Sequence, residues 1–461
     1  MTDLAALACP DPAQRPDLWP WSAAREDGAL WVGGVSLIDV AKEYATPAYV
    51  WDEADFEGRC QVWAAAMAEA FWEGYGFSGA KVNYAGKAFL CADAVRAATR
   101  AGLGIDTASL GELSLALAAG APASEIGLHG NNKGDRELEL AIAAGIDRII
   151  VDSLPEVAQV ERIAAAAGKQ ARVMVRLTTG VHAGGHEYIS TAHEDQKFGL
   201  SIATGQAEEV IDAIAQCDHL ELVGLHSHIG SQILDLDAFA ASASKVMAFR
   251  AKILEKGLAV GEVDLGGGYA IAYTGADPQA PTANEISLAL AEAVKDACQK
   301  AGTDIPVISI EPGRSIAGPS QVMLYSVGTI KDVTIAQGQT RRYVSVDGGM
   351  SDNIRPALYG ANYSATLANR ISEAETVLCR VVGKHCESGD VVVNDVALPA
   401  DLQAGDLLAV PAVGAYGRAM ASNYNMLARP GVVGVRNGKW REIIKRETIE
   451  DLLAADKTLE K

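Results

Sequence analysis

The chain has 461 residues, 49% of them hydrophobic, and a net charge of −20. That length suits two or three domains with a large core, and the acidity makes a phosphate backbone a poor partner, which argues against nucleic acid. Apolar runs stop short of the roughly 20 residues of a membrane span, the first residues lack a basic start and apolar core, and the seven cysteines form no C-x-x-C. The expectation is therefore a cytoplasmic protein with reduced thiols.

In chain order, Leu30–Val32 and Ala48–Trp51 read as strands. Short β-branched runs follow at Ala80–Tyr84, Gly104–Asp106, Glu125–Leu128 and Arg148–Val151, then at Arg172–Leu177, Leu220–Leu225, Glu262–Leu265 and Val307–Ile310. Between them lie amphipathic helix patterns: Phe89–Ala101, Leu110–Ala119, Asp135–Ala144, Pro155–Ala167, Asp237–Glu255 and Asn284–Ala301. Such alternation predicts parallel strands with helical crossovers. Eight strands point to a closed (β/α)8 TIM-like barrel over 52–318, with a doubly wound sheet as the alternative. Thr178–Gly199 is too long for a simple connection and carries His182, His186 and His193. Loops of that length inside a domain are usually functional, but no metal-ligand spacing is present.

From Pro319 onward, short β patterns dominate: Gln321–Gly328, Arg342–Val346, Thr376–Val382, Val391–Val393 and Leu407–Val410. Arg446–Ala454 reads as a helix. The prediction is a second, mostly β domain, a β-barrel or sandwich, built from 1–51 and 319–461.

In such a barrel the active site forms at the C-terminal ends of the strands. Polar residues recur there: Lys87, Asp106, His129 with Asn131 and Asn132, Arg176, His226 and His228, Gly266-Gly267-Gly268, and Glu311 with Arg314. Each alone has a bland explanation, such as an exposed lysine, a tight turn, a core histidine or an ion pair. A lysine amine in a partly apolar pocket can be held neutral and form a Schiff base. Backbone N–H groups in a glycine turn can approach a phosphate, and Ser231 can add a hydroxyl. A carboxylate such as Glu311 can pair with a protonated heterocycle. In the β region, Arg355 and Tyr359 suit a carboxylate, and Cys386 beside Glu387 can move a proton.

Several spaced motifs occur together: Tyr84-Ala85-Gly86-Lys87-Ala88, His129-Gly130-Asn131-Asn132-Lys133, His226-Ser227-His228-Ile229-Gly230-Ser231-Gln232, Glu311-Pro312-Gly313-Arg314 and Cys386-Glu387-Ser388-Gly389-Asp390. With them the chain, from about Trp19 to Leu453, resembles the fold-type III pyridoxal-phosphate decarboxylases, most closely actinobacterial members acting on diaminopimelate. The resemblance implies pyridoxal 5′-phosphate on Lys87, with His228 stacked on its ring and Glu311 at the ring nitrogen. Asp106, Ser231, Gly267, Gly268, Gly313, Arg314 and Tyr416 are implied as further cofactor contacts. Arg314, Arg355, Tyr359, Glu387 and Tyr416 are the implied substrate set, and Cys386 the proton donor to the product carbon. It also implies a homodimer with shared active sites, Cys386 and Glu387 coming from the partner subunit. The implied reaction is decarboxylation of meso-diaminopimelate to lysine, the last step of lysine biosynthesis. Relatives acting on ornithine, arginine or a carboxylated polyamine are the alternative. A racemase, disfavoured by Cys386 and the Arg355/Tyr359 pair, and a non-catalytic homologue, disfavoured because Lys87 and Cys386 are both present, are further rivals. Two departures stand out: Gly86, where Val or Ala is usual and where added backbone freedom is expected, and Arg418, expected to alter cofactor affinity or to face solvent.

Overall fold

A computed structural model describes residues 3–181, 196–335 and 338–459. His182, His186 and His193 lie outside the described residues. The chain divides into two compact units: Glu57–Ala270 with Ala280–Gly313, and Met1–Phe56 with Ile271–Gln279 and Arg314–Lys461.

The first unit carries eight parallel strands: β1 (Ala80–Ala85), β2 (Gly104–Thr107), β3 (Ile126–Leu128), β4 (Arg148–Val151), β5 (Ala171–Thr178), β6 (Leu220–Ser227), β7 (Glu262–Asp264) and β8 (Val307–Ile310). Each pairs with its neighbour in sequence, β8 pairs with β1, and β4 pairs with β5. That last pairing closes the barrel and excludes the open doubly wound sheet. Strands β2, β3 and β4 are buried at every position, as expected when helices cover the outside and side chains fill the inside. The helices begin at clear caps. Ser109 accepts the Glu112 N–H at 3.2 Å, and Thr282 with Glu285 forms a capping box, each satisfying an otherwise orphaned donor. Phe89–Ala101 is shorter than the periodicity suggests: the helix spans Ala92–Arg100, because Cys91 caps it through a sulfur contact to the Ala94 N–H at 3.4 Å.

The second unit is a mixed sheet running from Val391–Pro399 through Thr376–Val382, Thr340–Val346, Gln321–Thr334 and Ala48–Asp52 to Val432–Arg436 and Lys439–Ile444. The long strand Gln321–Thr334 pairs near its start with Ala48–Asp52 and Leu407–Val410, and near its end with Thr340–Val346. The early strand Ala48–Asp52 is thus part of this sheet and not of the barrel. The hairpin Val432–Ile444 has no counterpart in the sequence reading. It turns at Asn437 (φ 52°) and Gly438 (φ 73°), the left-handed pair that a two-residue hairpin turn demands.

Candidate active site

Six of the eight strands deliver polar groups to one end of the barrel. A cavity of about 250 Å³ there is lined by Lys87, Asp106, His129, Arg176, His226, His228 and Glu311, with Phe198 among the apolar walls. Lys87 sits on the short turn Gly86–Ala88 directly after β1 and is exposed. Its charge bears on Asp106, Glu311 and His228, so the amine belongs to this pocket. Gly86 is explained by space: a Cβ there would lie 2.8 Å from the Asp106 carbonyl oxygen and 3.2 Å from Leu90. Its φ is not left-handed, so the expected gain in backbone freedom is replaced by a close approach of two strand ends.

Glu311 is the hub. Its Oε1 lies 3.0 Å from His226 Nε2 and 3.2 Å from His129 Nε2, and His129 Nε2 is 3.4 Å from Asp106 Oδ1. Burial pushes the Glu311 carboxyl up, with Asp106 adding to it and His129 opposing. Burial holds His129 down at about 4 and His226 well below the usual imidazole range. Two neutral rings therefore face one carboxylate, which accepts from His226 Nε2, whereas His129 Nε2 lies beside it with no hydrogen-bond partner among the described residues. Among the described residues, these three form the one set of metal-ligand-type atoms within 4.8 Å of one another. Both Asp106 carboxylate oxygens and His226 Nδ1 are buried without a hydrogen-bond partner among the described residues. Buried polar groups rarely stay unpaired, so the pocket is built for a polar occupant.

The glycine turn after β7 is packed to its limit. A Cβ on Gly267 would meet the Glu311 carbonyl oxygen at 2.1 Å, and one on Gly268 (φ 104°) the Gly230 carbonyl oxygen at 2.3 Å. The Gly267 N–H donates to His228 Nδ1 at 3.2 Å. That bond orients the ring, and burial keeps His228 neutral. Ser231 is half-buried on the next turn, which joins the glycine turn through the Ile233 N–H to Gly268 carbonyl bond, 2.9 Å. Gly313 is likewise close-packed, with a Cβ 2.9 Å from that of Ala85.

Below the pocket, Arg148 of β4 is 1% exposed and paired with Asp147 at 2.9 Å, Glu262 at 3.1 Å, Asp264 at 3.1 Å and Asp106 at 3.9 Å. Asp264 also accepts the Gly266 N–H at 2.8 Å. One buried guanidinium thus ties β2, β4 and β7 to the glycine turn. Lys133 acts similarly on the β3 loop: its buried amine donates to the Gly130 carbonyl at 2.7 Å and to Glu156 at 2.6 Å.

The second unit gathers a different set. Arg314 and Arg355 are buried and both donate to the Tyr273 hydroxyl, Arg355 at 2.7 Å. Arg314 stacks over Tyr416 at 4.8 Å, and Arg355 over Tyr273 at 4.9 Å and Tyr363 at 6.0 Å. Tyr416 holds a left-handed φ of 62°, a conformation that costs about 1–3 kcal/mol and clusters at functional sites. No carboxylate pairs with Arg355 among the described residues, and its Nε has no hydrogen-bond partner there. Tyr359 ends the short helix Arg355–Tyr359, half-buried, and is not among the described contacts of Arg355. The tyrosines that meet this arginine are Tyr273 and Tyr363, which no sequence motif flagged.

Cys386 and Glu387 are exposed. Their loop is held by Asp390, which accepts the Met350 N–H at 2.6 Å and the His385 N–H at 2.8 Å, and by Asn425, which accepts the Cys386 N–H at 3.0 Å. The last residue of that motif is therefore a structural anchor. Glu387 accepts from Gly389 and Ser388, which hold its carboxyl low. Neither Cys386 nor Glu387 contacts Arg314 or Arg355 among the described residues. Arg418 is half-buried near Tyr49, and its Nε has no hydrogen-bond partner among the described residues. It does not simply face solvent.

Comparison with known proteins places this arrangement. The pyridoxal-dependent decarboxylase pyridoxal-binding domain matches residues 54–318. Diaminopimelate decarboxylase of Mycobacterium tuberculosis is 47% identical over 447 residues, covering 96% of this chain and 98% of that relative. The Bacillus subtilis enzyme of the same name is 43% identical over 94% of this chain and 97% of its own length. Among solved structures, diaminopimelate decarboxylase from M. jannaschii in complex with L-lysine gives a TM-score of 0.87 at 32% identity, covering 95% of this chain and 98% of that one. No helix among the described residues is long and apolar enough to cross a membrane.

Proposed function

Because the chain belongs to the pyridoxal-dependent decarboxylases, within them to the diaminopimelate decarboxylases that release lysine and carbon dioxide, we propose that its reaction is carried by Lys87, Glu311 and His228 on the barrel and by Arg314, Arg355, Tyr416 and Cys386 beyond it. The observation that carries this reading is the pocket in which an exposed amine and a buried carboxylate line one cavity, with the glycine turn close-packed against Glu311 and His228, two of its lining residues. A phosphate-bearing heterocyclic aldehyde fits that set. The amine takes the aldehyde, the carboxylate takes the ring nitrogen, and the glycine turn suits the phosphate. The Asp106 oxygens, which have no hydrogen-bond partner among the described residues, are acceptors for a buried donor.

When bound, pyridoxal phosphate supplies the sink for the electrons of the broken carbon–carboxylate bond. Glu311, bonded to His226 with the His129 ring beside it, would hold a proton at the ring nitrogen. His228 keeps a neutral flat surface in place through the Gly267 N–H. Lys87 would hold the cofactor through its aldehyde carbon and be released as a free amine when the substrate's amine takes its place there. Arg314 and Arg355 bind the substrate carboxylate that stays. Tyr416 packs under Arg314, and Tyr359 remains a candidate contact at the end of the same short helix. Glu387 takes the distal ammonium, and Cys386 returns a proton to the carbon that lost carbon dioxide. The exposure of the Cys386–Gly389 loop supports its use by a second copy, in a homodimer with shared sites. A substrate with a second, non-reacting carboxylate suits the arginine pair, which a simple diamine precursor would leave unmatched.

The test is to incubate the enzyme with pyridoxal phosphate and meso-diaminopimelate and to quantify products. We expect lysine and carbon dioxide in equal amounts, and no gas from ornithine or arginine. Equal release from ornithine would remove the specificity argument.

A further inference from the structure

We propose that Tyr273 is the positioning residue that holds Arg314 and Arg355 together as one receptor for the substrate's non-reacting carboxylate, an inference that rests on the roles given above to those arginines. Two buried guanidinium groups repel each other in a medium of low dielectric. Here both send an N–H to one phenol oxygen, which has two acceptor lone pairs. That shared acceptor brings the two forks into register. A phenol does so without the full counter-charge that a carboxylate would place beside them.

The tyrosine is itself fixed. Its N–H and that of Thr274 both donate to Asp277 Oδ2 at 2.8 Å, and Arg15 donates to the Gly275 carbonyl at 2.8 Å. Its ring stands edge-on to Tyr363 at 5.0 Å. Burial pushes the Tyr273 hydroxyl up, but Arg314 and Arg355 more than offset this and bring it below the usual phenol range.

The experiment compares Tyr273→Phe with wild-type holoenzyme in diaminopimelate kinetics and in inhibition by lysine and by 1,5-diaminopentane. Lysine keeps one amino-acid head; 1,5-diaminopentane has no carboxylate. We expect KM and the lysine inhibition constant to rise together by about 10-fold or more, the loss typical of a hydrogen bond to a charged group. We expect kcat and the 1,5-diaminopentane constant to move by less than about 2-fold, because the interaction is made equally before and during the reaction. Arg355→Met is measured alongside. An unchanged KM in Tyr273→Phe with a raised KM in Arg355→Met overturns the positioning role alone. An unchanged KM in both overturns the arginine reading beneath it. Equal weakening of all three ligands means general damage and also overturns the role.

Discussion

Arg148 and Arg355 are both buried arginines, 1% exposed at the side chain in the first case and 6% exposed as a residue in the second, yet their surroundings are opposite. Arg148 faces four carboxylates, whereas Arg355 faces phenols. A buried cation with carboxylates on every side is finished and serves the fold. A buried cation without one carries an unspent desolvation cost that only an incoming anion relieves. The contrast separates scaffold from receptor without reference to any relative.

The strongest way to break the contrast is Arg148→Met. It strands Asp106 and Asp264 in the barrel, while Glu262 keeps Lys81 at 2.7 Å, and removing one partner of a buried ion cluster costs about 3–5 kcal/mol. Urea unfolding should register that loss, and an unchanged midpoint would show that Arg148 is not the clasp. The matching change, Arg355→Met, should leave the midpoint unchanged or raised, since no carboxylate is stranded. Its effect belongs in KM for diaminopimelate, raised roughly 100-fold for loss of a forked carboxylate contact. A fall in stability as large as that of Arg148→Met would erase the distinction.

Acid sharpens the comparison further at the barrel mouth. His129 is held at about 4, below its ordinary value of 6.5. Between those values the unfolded chain binds the proton and the folded one does not. His129 therefore costs no stability above about pH 6.5, and its penalty grows as pH falls towards 4, by up to about 3 kcal/mol. His129→Gln should lose less stability than wild type over that window, read by urea melts at each pH. Parallel curves would mean that His129 protonates freely in the native state. Asp106 and Asp264 shift the opposite way, upward through burial, so the difference between variant and wild type isolates His129, whereas the wild-type curve does not.

The barrel was legible because strands buried on both faces read as short apolar runs between helical patterns, and because chemistry at strand ends follows from that topology. Lys87, His228, Gly267 and Glu311 stand where that logic expects them. The scaffold beneath was not legible. Arg148 begins a run, Arg148–Val151, in which a charged residue resembles a solvent-facing end, and only closure of the barrel turns it inward. Tyr273 carries no motif and enters through a short stretch, Ile271–Gln279, that joins the second unit. Pairing Arg355 with Tyr359 relied on sequence nearness, whereas the phenols it meets come from residues 273 and 363. The Val432–Ile444 hairpin was readable at Asn437-Gly438, a left-handed dipeptide between β-branched runs, as was the smaller turn at Asp27 (φ 48°) and Gly28 (φ 83°).

Whether the cofactor is carried at the mouth of the barrel can be read directly. Holoenzyme reduced with borohydride, digested and analysed by mass spectrometry should show the phosphopyridoxyl mass on the peptide containing Lys87 and on no other. The same mass on the peptide of Lys133 or Lys197, with Lys87 unmodified, would contradict the assignment on which the proposed mechanism is built.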